Sequence, residues 1–177
     1  LKKNSTHPFK ILIAGEAKDK HVKYLKHLKD KIIRLDISDE VIFLNFRKDI
    51  KEIYSISSVV FNTSNKPESF GRSILEPLSL GIPSLGYNRG GVKEILEELY
   101  PFGATDPNKP NQLLEKTLEI LDGNNCDINS NNKFLTSLMC KETLEFYKDS
   151  SQWLSLRLYF LFLFYYFHLN MLGGRRQ

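Results

Sequence analysis

The fold is decided by one stretch of the chain, Pro67-Glu68-Ser69-Phe70-Gly71-Arg72-Ser73-Ile74-Leu75-Glu76. A short apolar run, Val59-Val60-Phe61, precedes it, and the helical pattern that follows stops at Gly81-Ile82-Pro83. This order predicts a strand, a loop and a helix, which is the unit that places ligands at the carboxyl end of a parallel sheet. The unpaired N–H groups and the positive dipole end of such a helix suit a phosphate.

The central helix is predicted to begin near Ser73. With that start, Pro77 falls close to the first turn, where a missing N–H carries no penalty. In a helix interior a proline costs roughly 3 kcal/mol. Glu76 lies across the helical wheel from Ile74, so its carboxylate is expected to point away from the core.

Strand-like and helix-like patterns alternate along the rest of the chain. Short apolar runs predict strands at 10–15, 41–44, 58–61, 83–87 and 102–104. Apolar residues three or four positions apart predict further helices at 19–35, 49–56, 92–100, 111–121 and 134–147. The alternation predicts an α/β fold with a Rossmann-like, mostly parallel sheet and helices on both faces. One domain is expected over residues 1–150, followed by an apolar tail, 151–177, outside the core.

The composition argues against a nucleic-acid partner and for a reducing cellular compartment. The formal net charge is +4 over 177 residues, and the basic residues form no stripe interleaved with aromatic ones, so we expect no nucleic-acid partner. Cys126 and Cys140 are isolated thiols without CxxC spacing. That usage favours free thiols in a reducing compartment, and the chain is predicted to be cytoplasmic.

Two segments, PESFGRSILEPLSLGIP at 67–83 and GGVKEIL at 90–96, together resemble the E-x7-E region of retaining glycosyltransferases with the GT-B fold. The nearest group is glycosyltransferase family 4, and the resemblance runs from about Phe9 to Tyr147. It implies the second of two Rossmann-like domains, the one that binds the nucleotide-sugar donor. It also implies that this chain begins inside that domain and that the acceptor-binding domain is absent.

Carried over by position, the resemblance implies roles for individual residues. Glu68 is expected to contact the donor sugar as the catalytic carboxylate, Phe70 and Gly71 to approach the sugar and phosphates, and Glu76 to hold the ribose. Phe46 stands where the family packs its base. The full set of expected donor-binding residues is Glu68, Ser69, Phe70, Gly71, Arg72, Ser73, Glu76, Phe46, Gly90 and Gly91.

Structural alternatives stay open for several of these residues. Glu68 fits plain loop surface, Glu76 a solvated helical glutamate, and Phe46 a core aromatic. Arg72 fits a phosphate contact or an exposed salt bridge, and Ser73 a helix cap. Gly90 and Gly91 fit donor approach or a simple turn. Asn45 stands where the family often has glycine, a departure that bears on the shape of its loop.

A metal-independent site is expected. The sequence holds no DxD and no His, Cys or Asp cluster with ligand spacing, and helix N–H groups with cationic side chains can stabilise a leaving diphosphate. No cofactor is expected beside the nucleotide sugar. The resemblance implies transfer of a hexosyl unit to a glycan or lipid-linked acceptor, while this chain alone binds donor weakly and turns nothing over. A sugar-nucleotide epimerase of related fold and a non-catalytic binding or remnant module are the alternatives.

The tail from Trp153 to Leu172 is nearly all Leu, Phe and Tyr, and it approaches the ~20 residues that a membrane-spanning helix needs. Three interpretations are open: an extraneous tail, a segment on or in a membrane, and a surface for the missing partner domain. The second would place the protein peripherally at the inner face of a membrane.

Overall fold

The computed structural model describes residues 8–17, 21–124 and 126–149, in which strands and helices alternate in the predicted order. The strands are β1 (Ile11–Ala14), β2 (Val41–Asn45), β3 (Val60–Asn62), β4 (Ser84–Tyr87) and β5 (Ala104–Thr105). The helices are α1 (Val22–Arg34), α2 (Ile50–Ser55), α3 (Arg72–Ser79), α4 (Gly90–Leu99), α5 (Pro110–Leu121) and α6 (136–149). A 3-10 turn, Pro101–Gly103, occupies most of the last predicted strand and leads into β5.

Every strand pairing in the described residues is parallel, which confirms the predicted α/β class. The strands form two sheets, one of order β1-β2 and one of order β3-β4-β5. In the second sheet the last residue of β3, Asn62, pairs with Gly86 of β4, and Gly86 pairs with Ala104 of β5. The carboxyl ends of β3, β4 and β5 therefore meet at one edge, from which the loops to α3 and α4 leave.

The chain divides into two compact units, one ending at Ser130 and one beginning at Asn131. The first holds both sheets and α1 to α5, and the second holds α6. The predicted tail, 151–177, lies outside the described residues, so the predicted domain boundary at 150 stays a prediction. Within the described part of the chain, no helix has the length and apolar content needed to span a membrane. Cys126 and Cys140 are exposed free thiols, as predicted.

The core of the first unit lies between α3, α4 and the three-stranded sheet. α3 packs on β3, β4 and α4, and α4 packs on β4 and β5. The aliphatic side chains at this contact are nearly inaccessible to solvent: Ile74, Leu78, Leu85, Ile95, Leu96 and Leu99. Burying each such side chain stabilises the fold by about 1.5–3 kcal/mol, so this region fixes the positions of the helix ends that face the loops.

The apolar stripe predicted on α1 is only partly buried. Ile32 is buried and Leu25 and Leu28 are half-buried, but Val22 and Leu35 are exposed. The adjoining sheet has two strands only, so it offers less apolar surface than the three-stranded sheet under α3 and α4.

The prediction that Pro77 carries no penalty, because it lies near the first turn, is wrong. α3 begins at Arg72, one residue before Ser73, so the predicted start is confirmed, but Pro77 is the sixth residue of the helix and lies in its interior. The ladder starts with the Leu75 N–H donating to the Gly71 carbonyl, and the proline removes the bond that the Ser73 carbonyl would otherwise accept. The Pro77 ring is fully buried, and its apolar contacts offset part of that loss.

The end of α3 follows the predicted stop signal. Gly81 has φ 77°, its N–H donates to the Leu78 carbonyl, and the Ile82 N–H donates to the Pro77 carbonyl. This is the Schellman arrangement, in which a glycine in the left-handed region closes the last turn of a helix.

Candidate functional site

Glu68 is held in place at both its backbone and its side chain. The Gly91 N–H, in the first turn of α4, donates to the Glu68 carbonyl at 2.8 Å. The Asn62 side-chain amide donates to Oε1 of the Glu68 carboxylate at 2.9 Å. No bond to Oε2 is formed within the described residues. The interpretation of Glu68 as plain loop surface does not account for this double attachment.

The two glycines at the start of α4 make room for the loop that carries Glu68. A Cβ on Gly91 would lie 2.5 Å from the Phe70 carbonyl oxygen, and one on Gly90 would lie 2.6 Å from the Glu68 carbonyl oxygen. Gly90 also has φ 56°, a conformation that glycine adopts without strain. The helix predicted at 92–100 therefore begins two residues earlier, at Gly90, and the loop backbone of 68–70 lies directly against its first turn.

Asn62 is a site residue that the sequence reasoning missed. It is the last residue of β3 and only 7% exposed. Its Nδ2 donates both to Glu68 Oε1 and to Ser73 Oγ, the latter at 2.7 Å, and its Oδ1 accepts from the Ser64 N–H at 3.1 Å. The available signal was a polar residue directly after an apolar run, at the carboxyl end of a predicted parallel strand.

Arg89 is a second residue that was missed. Its Nη1 donates to the Asn65 carbonyl at 2.6 Å, and its guanidinium lies 5.5 Å from the centre of the Tyr87 ring. Together with Asn62 and Gly91, it ties the loop 63–70 to the ends of β3, β4 and α4.

The amino end of α3 faces the same loop. Its N-cap is Gly71, which is buried with φ 85°, and a Cβ there would lie 3.0–3.2 Å from Val92. The N–H groups of Arg72 and Ser73, in the first turn, have no carbonyl to bond within the helix. They and the helix dipole provide positive potential beside Glu68.

Arg72 and Glu76 form an ion pair one turn apart on α3. Arg72 Nε and Nη2 donate to Glu76 Oε1 at 2.9 and 2.6 Å. The arginine side chain is 79% exposed and the glutamate side chain 29% exposed. The exposed salt bridge is thus the alternative that the structure shows for Arg72, and Glu76 is a half-buried, paired carboxylate.

A buried tyrosine lies within electrostatic reach of Glu76. Tyr54, on α2, is 8% exposed, and burial raises the pKa of its hydroxyl. The Glu76 carboxylate raises that pKa further, while Arg72 partly opposes it. The two residues belong to neighbouring helices, because α2 packs on α3.

Phe46 and Asn45 follow β2, in the two-stranded sheet. The Phe46 side chain is 65% exposed, so the alternative of a core aromatic is wrong. Asn45 has φ 54°, and asparagine tolerates this left-handed region better than most residues. Asn45 therefore holds a backbone conformation that glycine would also adopt.

The structure brings most of the predicted residues to one place. Glu68, Ser69, Phe70, Gly71, Ser73, Gly90 and Gly91 lie together around the loop, and Arg72 and Glu76 follow on α3. Phe46 stands on the other sheet. Two shallow cavities in the described part of the chain contain none of the predicted residues. One is lined by Asn88 and by residues of 104–112, and the other by residues of 108–115.

Comparison with known proteins gives a family match. The model of the family described as Glycosyl transferases group 1 matches residues 1–135. Among curated proteins, N-acetyl-alpha-D-glucosaminyl L-malate synthase of Bacillus anthracis is 35% identical over 63 residues, 36% of this chain and 16% of that protein. Spore coat protein SA of Bacillus subtilis (strain 168) is 32% identical over 101 residues, 55% of this chain and 26% of that protein.

Solved structures give the same result for the fold. The Anabaena protein Alr3699/HepE, in complex with UDP and glucose, superposes with a TM-score of 0.60 at 31% identity, over 65% of this chain and 32% of that one. A glycosyltransferase from Rickettsia africae ESF-5 has a TM-score of 0.70 at 22% identity, over 83% of this chain and 41% of that one, and shows the fold alone. The chain thus spans less than half the length of each of these relatives.

Proposed function

Because this chain belongs to the glycosyl transferases group 1 family, we propose that it binds a nucleotide sugar as the donor in glycosyl transfer. The transferred group is a hexosyl unit, the acceptor is a glycan or a lipid-linked acceptor, and the reaction proceeds with retention and without a metal ion. The acceptor, the stereochemistry and the metal independence rest on the sequence resemblance.

The observation that carries the proposal is the fixation of Glu68 beside the amino end of α3. One carboxylate oxygen is held by Asn62, and the backbone is held by Gly91. Oε2 accepts no hydrogen bond within the described residues, so it can accept one from a sugar hydroxyl, and hydrogen bonds to an ionised group are among the stronger ones. A carboxylate held in this way needs no rearrangement when the sugar arrives.

The diphosphate is assigned to the first turn of α3. The N–H groups of Arg72 and Ser73 and the helix dipole favour an anion there. The Arg72 guanidinium is largely exposed. Its pair with Glu76 is of the kind worth about 0.3–0.5 kcal/mol on a helix surface, so transfer of the arginine to a phosphate costs little. These groups would stabilise the charge that develops on the leaving nucleotide.

The nucleoside is assigned to Glu76 and Phe46. Oε1 of Glu76 is used by Arg72, and Oε2 accepts no hydrogen bond within the described residues, so it can receive the ribose hydroxyls. The exposed Phe46 ring offers an apolar face on which a base can stack. The Anabaena neighbour was solved with UDP, and also with UDP-glucose, which supports a uridine diphosphate sugar as the first donor to try.

Titration of the chain with UDP and with UDP-glucose tests the proposal. We expect dissociation constants near the millimolar range, which correspond to binding free energies on the order of −4 kcal/mol. NMR chemical shifts measure the binding. Glu76→Ala should weaken both ligands because both contain the ribose. Glu68→Ala should weaken UDP-glucose alone because only that ligand carries the sugar. Glu115→Ala, an exposed glutamate on α5, is the matched control and should change neither.

Two results would contradict the assignment. One is unchanged affinity for both ligands in both site variants, and the other is equal weakening by the control. Product analysis with UDP-glucose and a mixture of glycan acceptors tests the expected inactivity of this chain. Binding without conversion is the expected result, a transferred sugar would contradict the inactivity but support the transferase, and an epimer would support the epimerase.

A further inference from the structure

We infer that Asn62 is a positioning residue, which sets the orientation of the Glu68 carboxylate before the donor sugar binds. The inference rests on the proposed function of Glu68. In that proposal Asn62 contacts neither the sugar nor a phosphate. It acts through its hydrogen bonds to Glu68, which contacts the sugar, and to Ser73, which contacts a phosphate.

The surroundings of Asn62 permit one orientation of its amide. On one side the Ser64 N–H donates to Oδ1 at 3.1 Å, and on the other Nδ2 donates to Glu68 Oε1 at 2.9 Å. A flipped amide would place Oδ1 against the carboxylate and Nδ2 against the N–H, so two attractive contacts would become two repulsive ones. The amide group is therefore a directional donor toward Glu68.

Asn62 is far more constrained than the Glu68 side chain to which it donates. Asn62 is 7% exposed and is paired in the β3–β4 ladder opposite Gly86. Glu68 lies six residues farther on in a loop, half-exposed, with a long and flexible side chain. Fixing such a side chain in the free protein removes an ordering step from ligand binding.

The second hydrogen of the same amide relates the sugar position to the phosphate position. Nδ2 also donates to Ser73 Oγ at 2.7 Å, in the first turn of α3. Since Ser73 accepts this bond, its own hydroxyl hydrogen stays available to donate to a phosphate oxygen. One buried side chain thus fixes the distance between the carboxylate for the sugar and the helix end for the diphosphate.

The test is a double-substitution cycle measured with UDP and UDP-glucose on the full chain. Asn62→Ala should weaken UDP-glucose about tenfold, the order expected for a hydrogen bond to a charged group, and UDP less than about twofold. In a Glu68→Ala background the same substitution should weaken UDP-glucose by less than about twofold, as for UDP, because Ser73 is then the one group left for Asn62 to hold. Asn111→Ala, an exposed asparagine on α5, is the control.

Asn62→Asp is the variant for the case in which alanine unfolds the chain. It keeps the shape and the acceptor for the Ser64 N–H but sets a carboxylate against Glu68. We expect weaker UDP-glucose binding at pH 8 and partial recovery as the pH falls and the two carboxylates share a proton. A structural role alone would not produce this pH dependence of sugar affinity.

The outcomes separate the two proposals. If Glu68→Ala leaves UDP-glucose affinity unchanged, the assignment of Glu68 fails, and the inference fails with it. If Glu68→Ala weakens UDP-glucose while both Asn62 variants bind it normally, only the role of Asn62 is overturned. Equal weakening of UDP and UDP-glucose by Asn62→Ala, or an undiminished effect in the Glu68→Ala background, also overturns it.

Discussion

The backbone N–H of Gly91 donates a 2.8 Å hydrogen bond to the carbonyl oxygen of Glu68, which joins the first turn of α4 to the loop before α3. The bond requires the two backbones to be closer than any side chain at position 91 allows. The position of the carboxylate therefore depends on a residue that follows it by 23 positions in the sequence. Substitution of that residue should report on both stability and binding.

Gly91→Ala should lower the free energy of unfolding by about 1–3 kcal/mol, the usual cost of overpacking, because the new Cβ would lie 2.5 Å from the Phe70 carbonyl. It should also weaken UDP-glucose more than UDP, since the loop that moves carries Glu68. Gly123→Ala is the control: Gly123 has φ 83° with open space around it, so we expect a conformational loss of about 1 kcal/mol and unchanged binding. Denaturant unfolding and the two titrations measure these effects, and a Gly91 variant with normal binding would contradict the prediction.

Asn45 offers a test of backbone conformation alone. Asn45→Ala should destabilise the chain by about 1 kcal/mol, because alanine resists φ 54°. Asn45→Gly should stay within about 0.5 kcal/mol of the native chain, since easier local geometry is offset by a more flexible unfolded state. Asn111→Ala, on the exposed face of α5, serves as the control for loss of an asparagine side chain. Equal effects of alanine and glycine at position 45 would argue against the left-handed conformation.

Tyr100 is fully buried, and its hydroxyl has no hydrogen-bond partner among the described residues. Tyr100→Phe should therefore raise the free energy of unfolding by about 1 kcal/mol, because an unsatisfied buried polar group costs about 1–3 kcal/mol. Urea unfolding at pH 7 measures the change. Tyr24→Phe, at a tyrosine that is 67% exposed, should have little effect. A loss of stability in the Tyr100 variant would mean that the hydroxyl has a partner.

The same tyrosine predicts a response to alkaline pH. Burial, with a smaller electrostatic contribution from Cys126, raises the pKa of Tyr100 to about 12 from its ordinary value of 10.0. Between these two values the unfolded chain loses the tyrosine proton and the folded chain keeps it, so the stability contributed by the protonated group declines as the pH rises. The native chain should lose more stability over this interval than Tyr100→Phe does. Parallel pH profiles of the two chains would contradict the raised pKa.

Lys116 closes the edge of the three-stranded sheet with two charged hydrogen bonds. Its Nζ donates to the carbonyls of Phe102 and Ala104 at 2.7 and 2.6 Å and lies 5.1 Å from the centre of the Phe102 ring. Lys116→Met keeps the aliphatic stem but removes the donor, so we expect a loss of about 1–3 kcal/mol. Lys93→Met, which removes an exposed pair with Glu97 at 3.7 Å, should change stability by less than about 0.5 kcal/mol. Thermal unfolding of both variants measures these losses of stability, and equal losses would contradict the prediction.

The order of the elements, and the approximate bounds of most of them, could be predicted from the sequence because each one carries its own local pattern. The apolar run at 41–44 predicts β2, which is Val41–Asn45, and the leucine spacing at 111–121 predicts α5, which is Pro110–Leu121. Apolar periodicity reports on burial of one face, and both elements depend on little else.

The details of the site depend on contacts between distant segments, which no local pattern contains. The start of α3 one residue before Ser73 follows from the conformation of Gly71, and the helical turn at Gly90 follows from the loop that lies against it. In the sequence, Asn62 cannot be distinguished from an ordinary polar residue of a loop. Only the pairing of β3 with β4 and the return of the loop place its amide between Glu68 and Ser73.

The division into two sheets has a consequence for cooperativity. Phe46 follows β2 in one sheet, whereas Glu68 and Glu76 belong to the loop and helix that leave β3 in the other. A nucleotide bound as proposed would connect them and make local opening of β1 and β2 more difficult. Amide hydrogen exchange in β2 should then slow when UDP binds and stay unchanged with glucose alone, because glucose does not reach Phe46. The nucleotide would act as a non-covalent cross-link between the two sheets.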